Sequence, residues 1–160
     1  MSAAATVLLV IAVVGTGLVS GVFFAFSGFV MQGLDRLAPA DAARAMREIN
    51  VTAVRAPLML AIFGTALLLI VVATMSFFGA YPAGAWWIVG SAVVYLVGVV
   101  GVTGGANVPR NNRLAAAPES DAGALGTAWR EFRPAWTAWN HVRWLASAAS
   151  CAALVVALLG

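Results

Sequence analysis

Lysine is missing from this chain of 160 residues, histidine and cysteine occur once each, and only six carboxylates are present. Each scarcity removes a class of chemistry. The lone Cys151 excludes an intramolecular disulfide and a cysteine zinc cage. His141, the one histidine, cannot with that distant cysteine build a multi-histidine iron or copper site. The long apolar runs hold no acids, which speaks against a carboxylate-bridged di-iron centre, so no protein-ligated metal is expected. Haem needs a single axial histidine, and His141 leaves that cofactor open. A phosphate-binding loop and a dinucleotide fingerprint are also lacking: "GVTGGAN" (101–107) follows an apolar run instead of a strand and has the wrong glycine spacing. There is no internal repeat and no low-complexity tail.

Charge of either sign is thin. Charged residues make up 9% of the chain against 62% hydrophobic, and the mean hydropathy of +0.96 lies well above that of soluble domains. A membrane protein is expected. A pI near 10 would suggest nucleic-acid binding in a soluble chain, but every basic residue is an arginine bordering an apolar run. The charge therefore reads as topology, with no nucleic-acid partner.

What the sequence has in quantity is uncharged length. Nothing before Asp35 is charged, and that segment exceeds the roughly 20 residues needed to cross a hydrocarbon core of about 30 Å. A secretory signal is the competing reading, but a basic start is lacking and the run is longer than an apolar region of about 7 to 15 residues. A second charge-free stretch, between Arg55 and Arg110, is broken by "FFGAYPAGAWW" (77–87), whose Gly and Pro mark a tight turn. The last run follows Arg143. The expected fold is all-α: a single integral membrane domain, 1–160, with spans at about 4–34, 53–78, 86–106 and 139–159. Arginines concentrate in the connections 35–52 and 107–138 and their borders, so the positive-inside rule places both connections in the cytoplasm and both termini on the outer side of a multi-pass cell-membrane protein.

"DRLAPADAARAMREIN" (35–50) has helical spacing at Ala42, Ala45, Met46 and Ile49, for a short amphipathic helix on the membrane surface or an extension of span two. Pro109 is expected to end the third helix, leaving the next residues poor in helix until Leu125. Gly17 with Gly21, and the row Gly98, Gly101, Gly104 and Gly105, are candidate close-packing surfaces, or a groove for a flat ligand.

The polar residues gather at one level. Asn50 ends the first connection, Asn107, Asn111 and Asn112 leave span three, and Asn140, His141 and Arg143 begin span four. Helical geometry puts Trp136, Asn140 and Arg143 on one face and His141, Thr137 and Trp144 about a quarter turn away. Trp129, Trp136, Trp139 and Trp144 could form an aromatic belt, with Trp86 and Trp87 its outer counterpart, while the asparagines cap helices. Against that stands the cost of unpaired polar groups near a membrane, which makes a dense cluster a candidate site. Its chemistry would be acid-base work by His141, an anion held by Arg143 and the amides, and tryptophans stacking on a flat substrate.

"GVFFAFSGFVMQGLDRLAP" (21–39), "AMREIN" (45–50), "NVPRNNRLA" (107–115) and "W…F…WTAWNHVR" (129–143) occur in that order. Together they resemble the DUF1772 family of small four-helix membrane proteins, which includes anthrone-oxygenase-like members. The resemblance implies oxidation of a flat phenolic polycycle by molecular oxygen with no organic cofactor. It implies His141 as base, Arg143 and Asn140 as oxyanion partners, and Asn107, Asn111 and Asn112 as orienting groups; from the residues themselves, Asn50, Trp136 and Trp139 are further candidates for substrate contact. The expected partners are a hydrophobic aromatic molecule and the bilayer, with a homo-oligomer left open. The alternative is a non-enzymatic membrane module that binds a small molecule or docks to a partner.

Overall fold

A computed structural model describes the backbone of residues 1–160 and the side chains of all but Ala56. Among the described residues it is entirely helical. Four helices are long and apolar enough to cross a membrane, and we label them α1 (Ala3–Leu34), α3 (Pro57–Phe77), α4 (Ala85–Ala116) and α5 (Ala122–Leu159). A shorter helix, α2 (Pro39–Ala53), lies between the first two. Local chemistry starts each where it does. Ser2 Oγ accepts from the Ala5 amide at 3.2 Å and Asp121 from the Ala124 amide at 3.0 Å, while Pro39 opens α2 at a position whose N–H needs no partner. Gly79, at φ +78°, reverses the chain after α3 in a conformation that only glycine adopts freely.

The termini and the α3–α4 turn share one end of the bundle, tied by the Tyr81 hydroxyl, which donates to the Ala5 carbonyl at 3.0 Å. Both arginine-bearing connections lie at the other end. There α2 is neither a surface helix facing lipid nor a continuation of α3. A turn at Val54 and Arg55 separates it from α3, and it buries Ala42, Ala43 and Met46 against Leu114, Leu125, Trp129, Phe132 and Trp136. Arg47 fastens this base: its Nε and a terminal nitrogen donate to the Leu114 carbonyl at 2.9 and 2.7 Å, and it also bonds the Ala117 carbonyl. These carbonyls belong to the last turn of α4 and the residue after it, where a helix has no donors of its own.

Helix α4, the third span, does not stop at Pro109. It runs on to Ala116, because π-helical turns at Leu96–Gly101 and Thr103–Asn107 precede a fresh α segment, Val108–Ala116, in which Pro109 occupies the first turn. The stretch expected to be poor in helix is thus helical up to a short link at 117–121, and α5 begins at Ala122. The long connections are mostly extensions of the spans.

Lipid gives helices no hydrophobic reason to associate, so contact depends on close approach and polar pairs. Two glycines decide the closest approaches. A Cβ on Gly15 would lie 2.4 Å from Thr65 Oγ1, and one on Gly98 would lie 2.4 Å from the Ala146 Cβ. The expected Gly21, Gly104 and Gly105 have nothing within 4 Å of an added Cβ, and on Gly17 only Cys151 Sγ comes near, at 3.7 Å. The spacing motif was present, but the neighbours fall elsewhere. Ser91 adds a polar tie between α4 and α5, with its Oγ 2.6 Å from Ser150 Oγ and 3.0 Å from the Ser150 carbonyl. Gly98→Val should therefore separate α4 from α5 and cost about 1–3 kcal/mol. Gly90→Ala, at a site open to 4 Å, should stay within about 0.5 kcal/mol; thermal unfolding in detergent compares the two.

Candidate functional site

Two stretches some thirty residues apart meet at Trp136. Asn107 Nδ2 donates to the Trp136 carbonyl at 3.2 Å, and the Trp136 indole Nε1 donates to Asn111 Oδ1 at 2.8 Å. The i and i+4 spacing of the two asparagines lets one face of α4 hold a single tryptophan at its backbone and at its ring edge. Trp129 and Trp136 are 2% and 4% exposed, so neither belongs to an aromatic belt; they pack with Phe132, whose ring lies 5.9 and 5.8 Å from theirs. Trp86 and Trp87 stand exposed at the opposite end of the bundle.

Arg143 and Asn140 form the second part. Both are buried, although they are among the most polar residues of α5. Asn140 Oδ1 accepts from the Arg143 guanidinium at 2.7 Å, and Asn140 Nδ2 donates to the Phe23 carbonyl at 2.7 Å and to Ser27 Oγ at 2.8 Å. Phe23 lies just before the π turn Phe26–Val30, so a side chain of α5 binds α1 where its helical ladder changes pitch. The guanidinium carbon sits 4.3 Å from the Phe23 ring centroid and 5.1 Å from that of Trp136, a cation between two aromatic faces.

These residues border a cavity of about 90 Å³ to which all five helices contribute. Its wall is apolar, with side chains such as Phe23, Ile49 and Ile62, apart from Asn50, Thr103, Asn111 and Arg143. Thr103 Oγ1 lies 3.5 Å from an Arg143 nitrogen. Behind the lining residue Ile62, Tyr95 donates to the Ile62 carbonyl at 3.2 Å, within the π turn Leu60–Gly64.

Of the residues expected at the site, Asn50, Asn111, Trp136 and Arg143 line this cavity, and Asn107 and Asn140 support it from behind. The other three do not join them. Asn112 is exposed, Trp139 is 40% exposed, and His141 is exposed with its Nδ1 accepting from the Trp144 indole at 3.3 Å. The cause is rotation about α5: with Asn140 and Arg143 turned inward, the adjacent position must turn out. His141 lines a separate open groove of about 410 Å³ with Ser27, Met31, Gln32 and Thr137, bounded by the Asp35–Arg133 ion pair at 2.5 Å. That pair is solvent-exposed and contributes little.

Sequence reasoning missed Phe23, Ile62 and Thr103. Phe23 and Ile62 sit in uniformly apolar runs that carry no signal. Thr103 had one, since 103, 107 and 111 repeat at the helical i+4 interval. Among the described residues no three histidine, cysteine or acidic side chains gather where they could hold a metal ion. Asn140→Ala should leave Arg143 without its best partner and cost about 1.5–3 kcal/mol. His141→Ala should change stability by less than about 0.5 kcal/mol. Melting curves of the two purified variants check the contrast.

Nothing among curated proteins or among solved structures matches the chain. The family model described as "Anthrone oxygenase" matches residues 56–153, taking in α3, α4 and most of α5 and with them Thr103, Asn107, Asn111, Trp136, Asn140 and Arg143. With more than half of its length and most of the polar residues around the cavity inside that match, the chain belongs to the anthrone oxygenase family.

Proposed function

We propose that the protein oxidises a flat phenolic polycycle of the anthrone type with molecular oxygen, in the cavity between its five helices and without a bound organic cofactor. The observation that carries this reading is an apolar cavity, shared by every helix of an anthrone oxygenase family member, whose one charged wall group is the buried Arg143. Overall the reaction replaces the two hydrogens of a ring methylene with a carbonyl oxygen. One atom of dioxygen becomes that oxygen and the other leaves as water. An anthrone anion is electron-rich enough to react with oxygen directly, so the protein need only bind, orient and dry the substrate.

At about 90 Å³ the cavity is smaller than the roughly 150 Å³ that admits a benzene ring. A tricyclic substrate therefore enters by displacing part of the wall. Asn50, Ala53, Val54 and Leu58 are the lining residues around the α2–α3 turn, and Val51 and Val54 are 56% and 67% exposed beside it. Substrate dissolved in the bilayer would enter past these apolar side chains. The arginine-bearing end of the bundle then faces the cytoplasmic side of the cell membrane.

His141 faces the other groove, and in this reading it does not serve as the base. Protein purified in detergent should consume oxygen with an anthrone faster than empty micelles do. Ala53→Phe, which fills the opening, should abolish the excess, and His141→Ala should keep most of it. Loss of turnover in His141→Ala with an unchanged melting curve would move the reaction to the groove. Substrate binding without oxygen uptake in the wild type would make the protein a binding module and not an oxygenase.

A further inference from the structure

Among the described residues Arg143 has no counter-ion. It is 6% exposed, yet all six carboxylates of the chain, at Asp35, Asp41, Glu48, Glu119, Asp121 and Glu131, are solvent-exposed. The salt bridges present, Arg44 with Asp41 and Arg133 with Asp35, lie elsewhere. Its neutral partners are few: Asn140 Oδ1 at 2.7 Å, Thr103 Oγ1 at the 3.5 Å limit of a hydrogen bond, and two aromatic faces. The buried Nε–H has no acceptor among the described residues. A guanidinium presents more donors than these groups engage. An uncompensated buried charge is among the most costly features a fold can carry, and it is retained where a ligand completes it.

From this geometry we infer that the cavity is an anion receptor, and that Arg143 takes its substrate as the conjugate base, an aryloxide or the enolate of an aryl ketone. The inference rests on the cavity being the substrate site. It goes further in assigning how the proton is lost. No side-chain base faces the cavity: its polar wall groups are two amides, one hydroxyl and one guanidinium. The acid is therefore ionised by stabilising its anion, and the proton leaves to water at the arginine-bearing end of the bundle. The planar fork of Arg143 matches an oxygen in the plane of an aromatic system, and Trp136 and Phe23 flank it for the ring. Selectivity follows from the same charge. A neutral polycycle would leave Arg143 unpaired, so phenols and enolisable ketones are taken ahead of plain hydrocarbons.

The test uses 2-hydroxyanthraquinone, whose ring is already oxidised and whose colour reports ionisation of its phenol. Titrated with the purified protein in detergent, the bound dye should ionise about 1–3 pH units below its midpoint in empty micelles. Arg143→Gln should remove the shift and Arg143→Lys should keep most of it. Thr103→Asp serves even if Arg143→Gln fails to fold: a carboxylate placed against the guanidinium should raise the melting temperature and abolish the shift together. An equal midpoint for wild type and Arg143→Gln, or a shift surviving Thr103→Asp, overturns the inference. Displacement of the dye by an equal concentration of oleate would overturn the aromatic assignment in favour of a fatty carboxylate. The readout needs no turnover: a lowered midpoint without anthrone oxidation refutes the proposed reaction and leaves the receptor standing, while turnover with an unshifted dye does the reverse.

Discussion

A guanidinium withdrawn from water loses hydration worth several kcal/mol, and the protein must return that stabilisation through hydrogen bonds and aromatic faces or leave it to a ligand. Around Arg143 it is returned in part. Asn140 is the joint, because its oxygen holds the cation while its amide nitrogen reaches across to the Phe23 carbonyl and Ser27 of α1. One side chain thus ties the charge of the cavity to the contact between two spans. The same contact brings the Phe23 ring under the guanidinium carbon. Stability at this level and the shape of the cavity cannot be altered separately.

Elsewhere the bundle is held by another constraint. A backbone carbonyl facing hydrocarbon has no water to turn to, so any departure from the α-helical ladder needs a donor from within the protein. Such departures cluster around the cavity as π-helical turns in α1, α3 and α4. Donors come from neighbouring helices: Asn140 to Phe23, just before one of these turns, and Tyr95 to Ile62 within another. Each wider turn rotates the residues that follow it, which is how Asn107 and Asn111 come to face Trp136 in a helix that carries on through Pro109. Irregular backbone, polar side chains and the cavity occur together because each requires the others.

The two sides of α5 differ in kind. Trp136 and Arg143 look into an apolar enclosure, whereas Thr137 and His141 border an open groove beside an exposed ion pair. Asn140 and Ser27 stand in the wall between them, since Ser27 lines the groove while accepting from the residue that holds Arg143. His141 is exposed, and its one side-chain hydrogen bond comes from the Trp144 indole. Arg143 is buried without a carboxylate partner, and the proposed chemistry lies on that inner side.

The spans were legible because absence of charge over a bilayer's thickness is a property of the chain alone, and so was the grouping of Trp136, Asn140 and Arg143, because helical repeat sets relative angles within one helix. The end of α4 was not legible at Pro109, since a π turn outside any simple pattern supplies the geometry that the proline ring needs. Gly15 and Gly98, instead of Gly21 and Gly104, make the tight contacts, because a small residue matters only where a neighbour arrives. By itself the sequence determined that four apolar helices form and that asparagines and one arginine share a level, since both follow from side-chain polarity and a fixed rise per residue. Only the tertiary structure decided that Arg143 points inward and His141 outward, because the absolute rotation of a helix is set by what packs against it: here Phe23, Ser27 and Thr103 from two other spans.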